Sequence, residues 1–253
     1  MRNIVAIDIG NTNITVGLFK GKKLLAKAKI PTCCYSLYIK RMRALISGAG
    51  LKIEDVKDAI ISSVVPFALA RVIVELHKMH AAVKIIILGK DKIVPIKNKY
   101  KIKNEVGQDR LVNAYAAKVL YGAPAVIIDF GTAITFDIIS KEGDYLGGLI
   151  LPGIELSLCS LYKRTALLPK VELKPASSII GKDTVNSMRG GILFGFGAMC
   201  DGLAGQYKKI LGSSTKVIAT GGNSSLMKRY AKSIQKVDED LTLKGLQLLS
   251  ANA

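Results

Sequence analysis

Residues 4–12 read Ile4-Val5-Ala6-Ile7-Asp8-Ile9-Gly10-Asn11-Thr12, and residues 126–132 read Val126-Ile127-Ile128-Asp129-Phe130-Gly131-Thr132. Each is a run of apolar residues, then Asp-x-Gly, then a hydroxyl residue, then a second apolar run. Short apolar runs rich in Val and Ile, ended by Gly and Asn or Thr, read as buried strands entering a turn. Asp129 follows Asp8 by 121 positions in a chain of 253 residues, so the motif recurs at about half the chain length. This repeat predicts two similar lobes, 1–115 and 116–253, each presenting an Asp-x-Gly hairpin.

Working outward, apolar strand patterns alternate with helical ones, so the fold class is α/β. Residues 3–9, 13–19 and 24–30 read as strands, the last two joined through Lys20-Gly21-Lys22. Tyr38 to Ala49 reads as a helix ended by Gly50, and 56–65 contains a strand stopped by Pro66. A helix over 67–80, a strand over 83–88 and a helix over 109–120 complete the first half. The second half opens with strands 125–130 and 132–139, and Glu142-Gly143-Asp144 turns into Tyr145-Leu146-Gly147-Gly148. A helix over 187–211 containing several Gly, a strand over 216–220 running into Gly221-Gly222, and a helix over 243–250 follow.

The composition supports a large core and excludes several classes. Hydrophobic residues make up 49% and charged residues 22%, which excludes a disordered tail or a small disulfide scaffold. No stretch offers the long uncharged apolar run of a membrane span, and the N-terminal residues read as a strand rather than a signal peptide. Cys33, Cys34, Cys159 and Cys200 form no CxxC pair, so reduced thiols in a cytoplasmic protein fit better than a zinc site. His77 and His80 lie three apart with no third ligand nearby, and read as surface histidines.

The net charge is +18, with +13 carried by residues 1–115 and +5 by the rest. Lys90 to Lys103 holds six Lys and one Asp. No helix-turn-helix, zinc-finger or aromatic RNA-binding pattern accompanies these lysines, which weighs against nucleic acid. They read as a solvated surface, or as a field that concentrates a polyanionic small substrate.

Four segments could carry chemistry. In Asp8-Ile9-Gly10-Asn11-Thr12-Asn13-Ile14-Thr15, Gly10 suits a turn whose N–H groups face a ligand, and Asn11, Thr12 and Thr15 add neutral donors for phosphate oxygens. Asp8 can hold a hydrated Mg²⁺ that also meets the phosphates. The bland alternative is a tight turn in which Asp8 bonds its own backbone. The echo at Asp129-Phe130-Gly131-Thr132 favours the functional reading, because two hairpins can hold one polyphosphate. Thr220-Gly221-Gly222-Asn223 follows a strand, and paired Gly let a flat ring approach the backbone, although such pairs are often turns. Gly107-Gln108-Asp109-Arg110 opens a helix. Taken alone, Asp109 reads first as a helix cap, and second as an ionised group able to accept a hydroxyl proton. Arg110 could hold a carboxylate by two bonds.

Together these segments resemble the type III pantothenate kinases, a branch of the superfamily of acetate kinase, sugar kinases and actin. Ser62-Ser63-Val64-Val65-Pro66, Gly147 to Gly153, Thr165 to Pro169, Ile180 to Thr184 and Leu241 to Leu246 extend the likeness over nearly the whole chain. The resemblance implies two actin-like (ribonuclease H-like) lobes, each a mixed sheet flanked by helices. It implies ATP-dependent phosphorylation of pantothenate to 4′-phosphopantothenate, the first step of coenzyme A biosynthesis. By the same resemblance Asp8 to Thr15 form the first phosphate loop, Asp109 is the general base, and Tyr100, Gly107, Gln108, Asp109, Arg110 and Thr184 contact pantothenate. Asp129 would ligate the monovalent cation, K⁺ or NH₄⁺, Thr132 would touch ATP, and Gly221 and Gly222 would face the adenosine. The family implies a cytoplasmic homodimer using Mg²⁺. Glu155 to Ser160 matches the family loosely, and no motif accounts for the +18 charge. Two alternatives stand beside this reading: a kinase of another small alcohol or sugar, and a catalytically idle relative that binds nucleic acid or a regulator.

Overall fold

The computed structural model describes residues 2–34 and 37–251. It divides into two compact units. One comprises residues up to Ile96, then Ile102–Ala116 and the stretch from Leu241 onward, and the other Lys97–Lys101 and Ala117–Asp240.

The first unit is built on β1 (Asn3–Ile9), β2 (Asn13–Lys20), β3 (Lys23–Pro31), β4 (Val56–Ser63) and β5 (Lys84–Ile87), in the order β3-β2-β1-β4-β5. β1, β2 and β3 form an antiparallel meander, whereas β4 and β5 run parallel to β1. Successive side chains of a strand point to opposite faces. One face of the sheet therefore carries Val5, Ile7, Ile9, Ile14, Val16, Leu18, Ala59 and Ile61, all in a single apolar core. The core is completed by α1 (Tyr38–Gly48) through Tyr38, Met42 and Leu45, and by α2 (Pro66–Met79) through Ala68, Val72 and Leu76. Those positions recur at helical spacing, and burying a Val or Leu side chain contributes roughly 1.5–3 kcal/mol. Pro66 ends the extended segment as expected, and does so by occupying the first turn of α2, where its missing N–H costs nothing.

The opposite face of the first sheet carries Ala6, Asp8 and Gly17, and receives α7 (Leu241–Ala251) from the far end of the chain. A Cβ on Gly17 would lie 3.0 Å from Leu243, and one on Gly245 would lie 2.6 Å from Val112 of α3 (Gln108–Tyr121). Both glycines let α7 seat against its neighbours.

The second unit repeats the topology. β6 (Ala125–Phe130), β7 (Ala133–Ile139), β8 (Tyr145–Pro152), β9 (Lys216–Thr220) and β10 (Lys236–Val237) take the order β10-β9-β6-β7-β8. β6, β7 and β8 are the antiparallel meander, and β9 and β10 run parallel to β6. Val126, Ile128, Phe130, Phe136, Val217 and Ala219 pack with Leu193, Cys200 and Ala204 of α5 (Thr184–Leu211). The two mixed sheets flanked by helices are those of the actin-like class. The internal echo in the sequence is thus a repeat of strand order as well as of motif. α4 (Ile154–Arg164), the short α6 (Ser224–Met227) and β10 are further elements that the sequence patterns do not predict. No helix among the described residues is long and apolar enough to cross a membrane.

Candidate active site

In the first unit, β1 and β2 are joined by a turn in which Gly10 N–H donates to the Asn13 carbonyl at 3.0 Å. A Cβ on Gly10 would lie 3.2 Å from that carbonyl. Gly10 is not in the left-handed region, so closeness rather than special backbone freedom explains this glycine, contrary to the sequence expectation. Thr32 clamps the turn from β3's end: its N–H donates to the Thr12 carbonyl at 2.9 Å and its hydroxyl to the Gly10 carbonyl at 2.7 Å. Thr32 escapes sequence reading because it lies 22 residues from the turn it holds. Asn11 and Thr12 are exposed at the tip, while Ile9 and Ile14 are sunk in the core. Those two can therefore offer a ligand only their backbone.

The Gly107-Gln108-Asp109-Arg110 segment reaches the same edge of this unit. Gly10 follows β1, Val64 and Gly89 follow β4 and β5, and all three strands run parallel. Val64 N–H donates to the Ile9 carbonyl at 3.1 Å, a Cβ on Gly107 would come 3.4 Å from Val64, and one on Gly89 would come 3.0 Å from the Gln108 amide. Ligands of α/β sheets bind outside the carboxyl ends of parallel strands, and this edge is of that kind. A Cβ on Gly107 would also collide with Asp109 Oδ1, so only glycine lets the carboxylate fold back there.

Asp109 lies in the first turn of α3, and its Oδ1 accepts the Arg110 N–H at 2.9 Å. It thus satisfies one helix-terminal donor, as a cap-like residue would. Burial nevertheless raises its pKa above the ordinary carboxylate range, and the Arg110 N–H and charge oppose that rise without cancelling it. Arg110 is buried, with 7% exposure, so it is not a solvent-facing clamp in this conformation.

In the second unit, Gly131 N–H donates to the Ala133 carbonyl at 3.1 Å, and Gly153 N–H donates to the Thr132 carbonyl at 3.0 Å. Gly153 presses on this hairpin so closely that a Cβ would meet the Thr132 carbonyl and lie 2.6 Å from that of Gly131. Gly221 follows β9 with φ of 86°, a conformation that disfavours any side chain. A Cβ there would strike Asp129 Oδ1 and lie 2.8 Å from the Phe130 nitrogen. Gly221 is bound into its own turn by Ser224, whose hydroxyl donates to the Gly221 carbonyl at 2.7 Å. Gly222, next to it in sequence, and Thr132, in the β6–β7 hairpin, are both exposed.

Tyr100 also belongs to this unit. Its N–H donates to Asn98 Oδ1 at 2.9 Å, and its ring lies 3.2 Å from where a Cβ of Gly147 would be. Thr184 is the exposed first residue of α5, preceded by Asp183, which caps the helix by accepting the Asn186 N–H at 2.8 Å. That bond, with the Asn186 side chain, holds the Asp183 carboxyl below its ordinary value.

The strand registers bring in Ser62, Thr135 and Thr220, to which sequence reading gives no role of their own. Thr15, Asp8 and Ser62 stand side by side across β2, β1 and β4. Thr135, Asp129 and Thr220 stand side by side across β7, β6 and β9. Each unit therefore presents a hydroxyl–carboxylate–hydroxyl row at its sheet's carboxyl edge.

The model of the type III pantothenate kinases matches residues 4–206, which contain both rows except Thr220, both hairpins and the Asp109 segment. The chain belongs to the type III pantothenate kinase family. Solved structures share its fold. A conserved protein from Campylobacter jejuni, assigned to the Baf family of transcriptional activators, is 19% identical with a TM-score of 0.54, covering 98% of this chain and 97% of that one. The ethanolamine utilization protein EutJ from Carboxydothermus hydrogenoformans is 16% identical with a TM-score of 0.53, over 98% and 90%. The inorganic polyphosphate/ATP-glucomannokinase from an Arthrobacter strain is 13% identical with a TM-score of 0.51, over the whole of both chains.

As a member of a pantothenate kinase family the chain is a kinase, which implies ATP as donor and the Mg²⁺ that accompanies it. Among the described residues no group of three or more His, Cys, Asp or Glu is arranged to hold a metal ion. Mg²⁺ in phosphoryl-transfer sites needs only one or two carboxylates, with phosphate and water supplying the rest. A single carboxylate flanked by hydroxyl oxygens is a hard-oxygen donor set, and each row fits a hard cation in that respect.

Proposed function

We propose that this chain transfers the γ-phosphoryl group of ATP to the primary alcohol of pantothenate, giving 4′-phosphopantothenate and initiating coenzyme A biosynthesis. The observation that carries the proposal is the Asp109 carboxyl, raised by burial and held at the same sheet edge as the Asp8 hairpin. A carboxylate with a raised pKa is a stronger base, and general-base assistance contributes typically about 10²–10⁴-fold. Asp109 orients the alcohol and takes its proton as the new P–O bond forms. The Asp8–Thr15 turn offers N–H groups and the Asn11 and Thr12 side chains to the phosphates, so that transfer proceeds by alignment and charge neutralisation.

Asp8 would hold Mg²⁺, which when bound would offset the negative charge of the phosphates. Asp129 would hold a K⁺ or NH₄⁺ ion, Thr132 would meet ATP, and Gly221 and Gly222 would admit the adenosine. Gly107, Gln108, Arg110, Tyr100 and Thr184 would contact pantothenate. The active species is proposed to be a cytoplasmic homodimer.

The test is ATP consumption in K⁺ buffer with and without pantothenate, beside a panel of sugars and small alcohols. Turnover that depends on pantothenate supports the proposal. Equal turnover with a sugar makes the chain a kinase of another alcohol, and salt-sensitive DNA binding without turnover makes it an idle relative.

A further inference from the structure

The two rows share a feature that packing does not explain. Ser62 Oγ and Thr220 Oγ1 are buried, at 0% and 1% residue exposure, and neither has a hydrogen-bond partner among the described residues. Leaving a buried hydroxyl unsatisfied opposes folding. Neighbouring residues do not share the defect. Ser63, next in sequence, accepts the Val65 N–H at 3.1 Å, and Thr135 donates to Asp137 Oδ2 at 3.1 Å. Three other buried polar atoms among the described residues lack partners, on Asn3, Tyr38 and Ser233, and none of those residues is paired in register with an acid.

Ser62 is the parallel-strand partner of Asp8, and Thr220 is the parallel-strand partner of Asp129. Partners across adjacent strands project to the same face with Cβ atoms roughly 5 Å apart. That spacing lets one small ligand atom touch both a hydroxyl and a carboxylate. The same unsatisfied hydroxyl in the same place in both halves is a recurrent cost at the sheet edge where ligands bind.

We infer that Ser62 and Thr220 are ligand-positioning hydroxyls. Ser62 acts with Asp8 on the hydrated divalent cation and phosphate oxygens, and Thr220 acts with Asp129 on the monovalent cation. A hydroxyl suits either place because it can accept from a bound water or offer its lone pairs to a cation without adding charge. This inference rests on the kinase reading above and adds two residues to it.

The experiment measures thermal unfolding of the full chain and of Ser62→Ala, Thr220→Val, Ser62→Thr and Thr220→Ser. Each is measured without ligand, with Mg·ATP, and with KCl against choline chloride. Without ligand, Ser62→Ala and Thr220→Val are expected to melt at or above the wild-type temperature, because an unpaired buried hydroxyl has been removed. The rise in melting temperature given by Mg·ATP should shrink in Ser62→Ala, and the rise given by K⁺ should shrink in Thr220→Val. Calorimetric titration should show about tenfold weaker Mg·ATP binding for Ser62→Ala, the scale of one lost hydrogen bond to a charged group. The variants that keep a hydroxyl, Ser62→Thr and Thr220→Ser, should retain most of the response.

Unliganded Ser62→Ala and Thr220→Val proteins that melt well below wild type, or fail to fold, would mark the hydroxyls as structural and overturn the inference. Unchanged ligand responses in those variants, with a responding wild type, would overturn the inference while leaving the kinase reading intact. A wild-type chain that responds to neither Mg·ATP nor K⁺ would bring down both.

Discussion

Replacing Gly221 with Ala tests the second hairpin where its geometry is tightest. Gly221 has φ of 86°, and an added Cβ would strike Asp129 Oδ1 while lying 2.7 and 2.8 Å from the Phe130 carbonyl carbon and nitrogen. The left-handed conformation costs an L residue about 1–2 kcal/mol. Overpacking a tight site costs about 1–3 kcal/mol more, because two of the three obstacles are backbone and cannot rotate away. The sum is about 2–5 kcal/mol, and at about 2–4 °C per kcal/mol for a chain of this size the melting temperature should fall by about 4–20 °C. Gly202→Ala is the matched control: Gly202 is exposed on α5 and an added Cβ there has nothing within 4 Å. It should be neutral or stabilising by up to about 1 kcal/mol, since Ala is the better helix former. Scanning calorimetry of both variants reads the stability effect. Melting with Mg·ATP reads whether the displaced Asp129 carboxylate has also weakened the site. A Gly221→Ala protein melting within about 1 °C of wild type would show that the turn after β9 does not press on Asp129, and the packing argument would fail.

Asp109→Asn should lower turnover by about 10²–10⁴-fold while sparing ATP binding; near-normal turnover would reduce Asp109 to a helix cap. Because the folded chain raises the Asp109 pKa, the neutral acid is favoured in the fold. That contribution is present below the ordinary carboxyl value and is lost as pH rises through the raised one. At neutral pH, Asp109→Asn should therefore melt higher than wild type, with the gap closing at low pH, which a pair of melting series would reveal. The activity of the wild type should fall on the acid side before an ordinary carboxylate would protonate, as a pH–rate profile can check. Asp129→Ala should abolish the preference for K⁺ over Na⁺; unchanged selectivity would remove the cation from Asp129. Tyr145→Phe deletes a 2.9 Å bond to Asp137, both residues being fully buried, and should cost about 1–3 kcal/mol in denaturant melts without altering cation preference.

Much of this protein is legible in its sequence because the relevant signals are local. Ile4 to Ile9 and Val126 to Phe130 are apolar runs ended by Gly, and the strands fall there. Gln108 to Tyr121 carries helical spacing, and a helix forms with Asp109 in its first turn. The echo of Asp-x-Gly motifs anticipates the repeated strand order. By contrast, α4 is not anticipated, because the exposed Leu156 and Tyr162 mask the stripe that Ile154, Leu158 and Leu161 form at helical spacing. Nor is β10, whose two residues carry no period at all.

The tertiary structure alone decides which distant residues share an edge. Asp8 meets Ser62 and Asp129 meets Thr220 only because parallel strands adopt one register, and a slip of one residue would send each hydroxyl to the opposite face. Thr32 reaches the first hairpin through β3, and α7 travels from the chain's end to cover the first sheet. Local pattern chooses strand or helix from a few neighbouring side chains. Register and docking are chosen by long-range burial, which no short stretch of sequence encodes.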